Sequence, residues 1–320
     1  MYQKMLVPLD GSELAEVVFT YAKELAGRLG LEVILLHIGA PEERKFVPMH
    51  RAYIERSAEI LRRQSRAIQR RMGVQAGGKP VEVRGGLVKG YPAEEILRYA
   101  YEHAVDLILM ATHGRSGLKS WILGNVADKV LRVSKIPVLL VRAGIPDEIA
   151  YDKWPRLTIV VPLDGSELAE AVLPHVEALA KLRDAESVEV ALLRVCEPPA
   201  TPSYYVSELP EVPLNWGEYM QQETNRCKQV ANDYLAGVEK RFRDIGVSVR
   251  PEVLVGKAAD EIVDYVKKNP FNLVVMATHG RSGLSRWIYG SVTDNILQGV
   301  SSPVLLLRTH QSDSAKKKEE

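Results

Sequence analysis

Short apolar runs alternate with longer amphipathic stretches along the first half of the chain. The runs predict five strands, at residues 5–9, 33–38, 81–83, 107–111 and 138–142. Three of these runs are almost continuously apolar, which is typical of parallel strands covered by helices on both faces. Apolar residues at helical spacing predict helices from Ser12 to Gly30, over 50–72, after Pro92 and after Gly124. This alternation predicts an open, doubly wound parallel sheet, which binds ligands where the strand order reverses.

The same unit occurs twice in the chain. Residues 7–16 (VPLDGSELAE) recur unchanged as 161–170, and residues 110–126 recur as 276–292 with 13 of 17 positions identical. A unit of about 160 residues is far longer than the roughly 20 to 50 residues of a solenoid repeat, so each copy is a whole domain. We therefore predict two tandem Rossmann-like domains, each an open doubly wound five-stranded parallel sheet flanked by helices. The predicted boundaries are domain one at 1–143, a linker at 144–156, domain two at 157–309 and a flexible tail at 310–320.

Composition and charge exclude several classes of protein. Lys and Arg number 42 and Asp and Glu 41, a net charge of +1, so no global field would attract nucleic acid or an anionic membrane. The chain has no signal-peptide pattern and no apolar run of about 18 residues, so we expect a cytoplasmic protein. The two cysteines, Cys196 and Cys227, are interpreted as inert packing thiols in a reducing compartment. The seven histidines form no pair at metal-ligand spacing, so no metal site is expected.

An aspartate ends the first predicted strand of each copy. Asp10 and Asp164 lie where a doubly wound sheet keeps its ligand site. A carboxylate there can accept hydrogen bonds from ribose hydroxyls or from the edge of a base. The alternative is that both aspartates cap the helix that begins two residues later.

A glycine-rich block follows the fourth predicted strand of each copy. Gly114 and Gly124 lie ten residues apart in front of a helix, as do Gly280 and Gly290. Glycine lets backbone N–H groups approach an anion, and a helix N-terminus adds a favourable dipole, so the block predicts a polyphosphate cradle. The alternative is that these glycines only permit tight turns and close helix packing. Further phosphate donors could come from the flanking His113, Arg115, His279 and Arg281, although the arginines could equally be solvated.

These motifs make both halves resemble universal stress protein domains, over about 2–142 and 157–308, and the whole chain resembles a tandem member of that family. ATP-binding members carry Gly-x-x-Gly, nine residues, then Gly-Ser/Thr. Copy two has Ala277-x-x-Gly280, nine residues, then Gly290-Ser291. Copy one has the same pattern from Ala111 to Gly124 but continues with Asn125, which replaces the hydroxyl that the family uses near the terminal phosphate.

The resemblance implies an ATP site, with or without magnesium, in each half. The implied contacts in copy one are Pro8, Asp10, Ile38, Met110, Ala111, Gly114, Gly124, Asn125 and Val126. Those in copy two are Pro162, Asp164, Val195, Met276, Ala277, His279, Gly280, Gly290, Ser291 and Val292. Family members dimerise through their last strand, so residues 138–142 and 304–308 are expected to pair within one chain as a pseudo-dimer. A further homodimer stays open.

We therefore predict an ATP-binding, nucleotide-dependent regulator of the stress response, without assigned catalytic residues. The alternative is an enzyme that hydrolyses ATP or transfers a phosphoryl group. No acidic pair for magnesium and no general base stands out beside the glycine block, so at most slow hydrolysis is expected. A third candidate is a binding scaffold that has lost its nucleotide, which Asn125 permits for copy one.

Overall fold

The computed structural model describes residues 2–40, 46–72, 80–112, 123–142, 157–180, 188–198, 216–269, 273–278 and 290–309. The elements of the first half are β1 (Lys4–Leu9), α1 (Glu13–Glu16), α2 (Val18–Leu29), β2 (Glu32–Gly39), α3 (Val47–Arg71), β3 (Val83–Lys89), α4 (Pro92–Glu102), β4 (Leu107–Ala111), α5 (Asn125–Val133) and β5 (Val138–Val141). Those of the second half are β6 (Leu157–Pro162), α6 (Glu167–Glu170), α7 (Leu173–Ala180), β7 (Val188–Cys196), α8 (Trp216–Arg243), β8 (Ser248–Val255), α9 (Ala258–Lys268), β9 (Leu273–Ala277), α10 (Ser291–Gly299) and β10 (Val304–Leu307).

One ten-stranded sheet runs through both halves, in the order β3-β2-β1-β4-β5-β10-β9-β6-β7-β8. Among the described strands, pairing is parallel within each half and antiparallel only between β5 and β10. Each half therefore has the predicted doubly wound architecture. The strand order reverses between β1 and β4 in the first half and between β6 and β9 in the second.

Helices cover both faces of the sheet, and each face has its own apolar core. The core under α1, α2 and α3 continues under α6, α7 and α8, through Leu139 and Leu305 at the junction. The core under α4 and α5 continues under α9 and α10, through Leu140 and Leu306. Because successive residues of β5 and β10 point to opposite faces, both cores are continuous across the two halves.

The junction of the halves confirms the predicted pairing of the last strands. In β5 and β10, Leu139 lies opposite Leu305 and Leu140 lies opposite Val304. Beyond these strands, the Arg142 guanidinium donates a hydrogen bond to the Leu297 carbonyl near the end of α10. The Arg308 guanidinium donates in the same way to the Arg132 carbonyl in α5. Each half therefore supplies a cation to the negative end of a helix in the other half.

The structure differs from the sequence prediction in the bounds of one strand and in the continuity of one helix. The third strand begins at Val83 and runs to Lys89, whereas the apolar pattern indicated 81–83. The helix expected from Ser12 to Gly30 is two helices, α1 and α2, that meet at Val17. Its expected end is confirmed, since Gly30 has the left-handed conformation of a helix C-cap.

The interpretation of the cysteines as packing thiols is wrong. Cys196, the last residue of β7, forms a disulfide with Cys227 in α8, with a Cα–Cα distance of 5.9 Å. Sequence patterns place each cysteine on an element but do not show which face of α8 meets the end of β7. Only the packed structure brings the two sulfur atoms together.

None of the helices in the described part of the chain is long and apolar enough to span a membrane.

Candidate functional site

A tight turn follows β1 and its counterpart β6. The Asp10 carboxylate accepts hydrogen bonds from the backbone N–H of Ser12 at 3.0 Å and from its hydroxyl at 2.6 Å. The Ser12 hydroxyl in turn accepts from the N–H of Ala15 and caps α1. Gly11 has φ of 79°, a conformation that favours glycine. Serine is therefore the cap, and the aspartate supports it.

The same turn recurs in the second half. The Asp164 carboxylate accepts from the N–H of Ser166 at 2.9 Å and from its hydroxyl at 2.6 Å, and Ser166 caps α6. Gly165 also has φ of 79°. The ten identical residues of the two copies thus build the same local structure.

Each aspartate lines a cleft over the carboxyl ends of the strands. The cleft of the first half has a volume of about 350 Å³ and that of the second about 420 Å³. Both clefts lie where the strand order reverses, which is the position that a doubly wound sheet offers to ligands. Their size is within the range of about 300 to 1,000 Å³ that is usual for small-molecule sites.

The clefts collect the predicted site residues of the described chain. Those lining the first are Pro8, Asp10, Ile38, Met110, Ala111, Gly124, Asn125 and Val126. Those lining the second are Pro162, Asp164, Val195, Met276, Ala277, Gly290, Ser291 and Val292. The predicted Gly114, His279 and Gly280, with the flanking His113, Arg115 and Arg281, lie outside the described residues.

A helix N-terminus forms part of the lining of each cleft. Gly124 is the N-cap of α5 and Gly290 that of α10, and neither helix has a side-chain cap. The first-turn N–H groups of a helix lack carbonyl partners within it, so each cleft faces a group of donors and the positive end of a dipole.

Packing against the described residues does not require glycine at position 290. Its φ and ψ of −53° and 150° are accessible to other residues. A Cβ added there would meet the Thr278 carbonyl at 3.7 Å, an ordinary contact. Neither the backbone conformation nor the contact with Thr278 therefore requires glycine at this position.

Sequence reasoning missed part of the lining. The first cleft is also lined by Pro92, the first residue of α4, and by Ile96, one turn further on. The second cleft is lined in the same way by Ala258 and Ile262 of α9. Their equal spacing in the two copies was the available signal. Glu197 lines only the second cleft, where its carboxylate accepts a hydrogen bond from the N–H of Ala258 at 2.9 Å.

A partly buried phenol, outside the lining of the first cleft, links α3 to α1. The Tyr53 hydroxyl of α3 donates to the Glu16 carboxylate at 2.9 Å. Burial, and then the hydrogen bond to Glu16, raise the pKa of Tyr53 far above its usual value. Tyr53 therefore stays protonated and holds α3 against α1. Among the described residues, no group of three or more His, Cys, Asp or Glu could hold a metal ion.

Fold and site together define a Rossmann-like α/β protein with two equivalent clefts at strand ends. The model of the universal stress protein family matches residues 1–142 and 156–308. The chain therefore belongs to the universal stress protein family, with two family domains in tandem.

Single-domain relatives match one half of the chain. Universal stress protein YxiE of Bacillus subtilis is 33% identical over 150 residues, covering 44% of this chain and 100% of its own. Universal stress protein MJ0577 of Methanocaldococcus jannaschii is 31% identical over 155 residues, covering 44% of this chain and 96% of its own.

A solved structure reproduces the two-domain fold. A universal stress protein from Archaeoglobus fulgidus superposes with a TM-score of 0.61 at 19% identity, covering 95% of this chain and 98% of its own. At this identity the likeness concerns the fold alone.

Proposed function

We propose that each half binds ATP or a related adenine nucleotide, and that the protein is a cytoplasmic, nucleotide-dependent regulator of the stress response. The observation that carries this proposal is the arrangement of one cleft. A carboxylate, the N-terminus of a helix and apolar side chains line the same cleft. Membership of the universal stress protein family supports the regulatory role.

The carboxylate and the apolar walls suit the adenosine part of the ligand. Pro8, Ile38 and Met110 give the first cleft apolar walls against which an adenine ring can pack. The Asp10 carboxylate would accept hydrogen bonds from ribose hydroxyls, a charge-assisted interaction. Pro162, Val195, Met276 and Asp164 repeat this arrangement in the second cleft.

The helix N-terminus suits the phosphates. The N-termini of α5 and α10 supply N–H donors and a positive dipole, which together form a ready anion site. Gly290 leaves room for a phosphate oxygen to approach the backbone. The cleft thus offers contacts both to an anionic group and to a neutral, hydroxyl-bearing group.

The first experiment identifies the ligand. Mass spectrometry of small molecules released from freshly purified, denatured protein should find an adenine nucleotide. Calorimetric titration of the full chain with ATP, with and without magnesium, should then give two sites. The absence of ATP binding in both titrations would contradict the proposal.

The second experiment separates two roles of Asp164, contact with the ligand and support of the Ser166 helix cap. Asp164→Asn keeps an oxygen that can accept from Ser166 while removing the charge and an acceptor. This variant should therefore weaken ATP binding at the second site and leave the melting temperature nearly unchanged. Asp164→Ala should lower both affinity and stability, the latter by about 1 kcal/mol. The matched Asp10→Asn should affect only the first site. Intact affinity in Asp164→Asn would remove the ligand role.

A further inference from the structure

The two halves anchor corresponding long helices in different ways. Tyr53 of α3 lies near Glu16 and Asp10, and Tyr234 of α8 lies near Glu170 and Asp164. The two tyrosines therefore mark equivalent positions of α3 and α8. The sequences around the two tyrosines differ, and the two helices are attached to their neighbouring strands in different ways.

In the first half the attachment is noncovalent. His50 of α3 is buried and packs against His37 of β2, with ring centroids 4.3 Å apart. Phe46, just before α3, stacks on His50 at 6.3 Å. Gly39, the last residue of β2, lies beneath this group, since a Cβ added there would be 3.8 Å from His50 Nδ1.

In the second half a disulfide takes this place. Counting back from Tyr234 as from Tyr53, Cys227 stands where Phe46 stands, and Cys196 ends β7 as Gly39 ends β2. Residues 217–230 of α8 include no buried side chain, and Ala231, the next residue, is fully buried. The disulfide therefore anchors the half of α8 that the apolar core does not hold.

Cys196 also lies between two residues that line the second cleft. Val195 lines it directly, and Glu197 both lines it and holds the first N–H of α9 through Ala258. The Cys196 carbonyl accepts a hydrogen bond from Gly256 at 3.0 Å, just before α9 begins. Any change in how Cys196 is held thus reaches the wall of the cleft.

We propose that Cys196 and Cys227 form a redox modification site that controls nucleotide affinity in the second cleft alone. This inference rests on the proposed nucleotide binding. The disulfide holds the end of β7 against α8 and keeps the cleft wall in place. Reduction releases the exposed half of α8 and loosens that wall, because segments with few buried contacts open at low free-energy cost.

The chemistry is a two-step thiol–disulfide exchange. One cysteine thiolate attacks a small-molecule disulfide such as oxidised glutathione, forms a mixed disulfide and expels one thiolate. The second cysteine then attacks the mixed disulfide at the protein sulfur and expels the other thiolate. In total, two protein thiols are oxidised to one disulfide, and the reagent is reduced to two thiols. In cytosolic proteins such a disulfide is usually transient and serves catalysis or sensing.

Full-length variants isolate the two clefts. Asp10→Ala leaves binding at the second cleft, and Asp164→Ala leaves binding at the first as a matched control. Each variant is equilibrated with oxidised glutathione or with dithiothreitol, its free thiols are counted by alkylation, and it is titrated with ATP. We expect reduction to weaken ATP binding about tenfold in Asp10→Ala, a moderate allosteric coupling, and to leave Asp164→Ala unchanged.

A cysteine variant and a reciprocal measurement complete the test. Cys227→Ser, placed in the Asp10→Ala background, should keep the weaker affinity under both conditions. Its melting curve checks that it folds. Because coupling is reciprocal, saturating ATP should lower the reduction potential of the disulfide in Asp10→Ala by about 30 mV for a tenfold effect.

The results that would overturn the redox proposal differ from those that would overturn the proposed function. Equal affinity in both redox states, tighter binding by the reduced protein, or two alkylated thiols after oxidation would overturn the redox proposal and leave the proposed function standing. Loss of ATP binding in both redox states of the unmodified chain would overturn both.

Discussion

The pairing of Leu139 with Leu305 gives a direct test of how the halves are joined. These side chains lie opposite each other across β5 and β10 and are 4% and 1% exposed. Truncating a buried leucine to alanine removes its transfer free energy and leaves a cavity, so each single variant should lose about 3 kcal/mol of unfolding free energy. Because the two truncations affect one shared contact, the double variant should depart from the sum by about 1 kcal/mol.

The measurement is urea unfolding of the four proteins, followed by far-ultraviolet circular dichroism. Leu35→Ala combined with Leu305→Ala is the matched control, because Leu35 is fully buried in the same core but lies on β2. That pair should be additive within about 0.5 kcal/mol. Equal additivity for Leu139 and Leu305 would mean that β5 and β10 do not pair in solution, and would refute the pseudo-dimer.

Three further predictions concern the junction and the clefts. Arg142→Met should lower stability by about 1 to 2 kcal/mol in thermal unfolding, because the Leu297 carbonyl loses a charged donor. Burial lowers the pKa of His175, which lies 2.6 Å from the Tyr2 hydroxyl, to about 4. The pKa of this histidine in the unfolded chain is about 6.5, so between pH 6.5 and 4 the protein takes up a proton when it unfolds. The free energy of unfolding should therefore fall by about 1 to 2 kcal/mol as the pH drops from 6.5 to 4, a figure that allows for the partial exposure of the ring. His175→Phe should flatten this dependence. ATP should bind the second cleft at least as tightly as the first, because only the second has a hydroxyl at this position, that of Ser291. The difference in affinity should be at most about tenfold. In calorimetric titrations, Asn125→Ser should narrow the difference in ATP affinity between the two clefts. Tighter ATP binding at the unmodified first cleft than at the second would contradict the prediction.

Local patterns in the sequence determined most of the secondary structure. Apolar runs placed β1, β2, β4 and β5 to within a residue or two. Proline and glycine marked the starts of α4 and α5, because both act through backbone geometry of the nearest residues. The repeat itself predicted two like domains, and the position of Asp10 at a strand end predicted a residue of the cleft.

The third strand shows where local pattern fails. β3 is an edge strand with the sequence VRGGLVK, and it is buried mainly at its first residue. An edge strand has only one neighbour and packs less apolar surface, so its sequence lacks the continuous apolar run of a central strand. Its glycines serve packing, since a Cβ on Gly85 would meet Ile54 of α3 at 3.0 Å.

Tertiary structure alone decided the contacts between distant segments. The disulfide joins residues 31 apart, and Arg142 meets the Leu297 carbonyl 155 residues away. Sequence periodicity states which face of an element is apolar but not which element covers it or at what register. The pairing of β5 with β10 was predictable because an exposed edge strand needs a partner. The cation at each helix end and the covalent anchor of α8 depend on the packing angle between elements, which no local pattern contains.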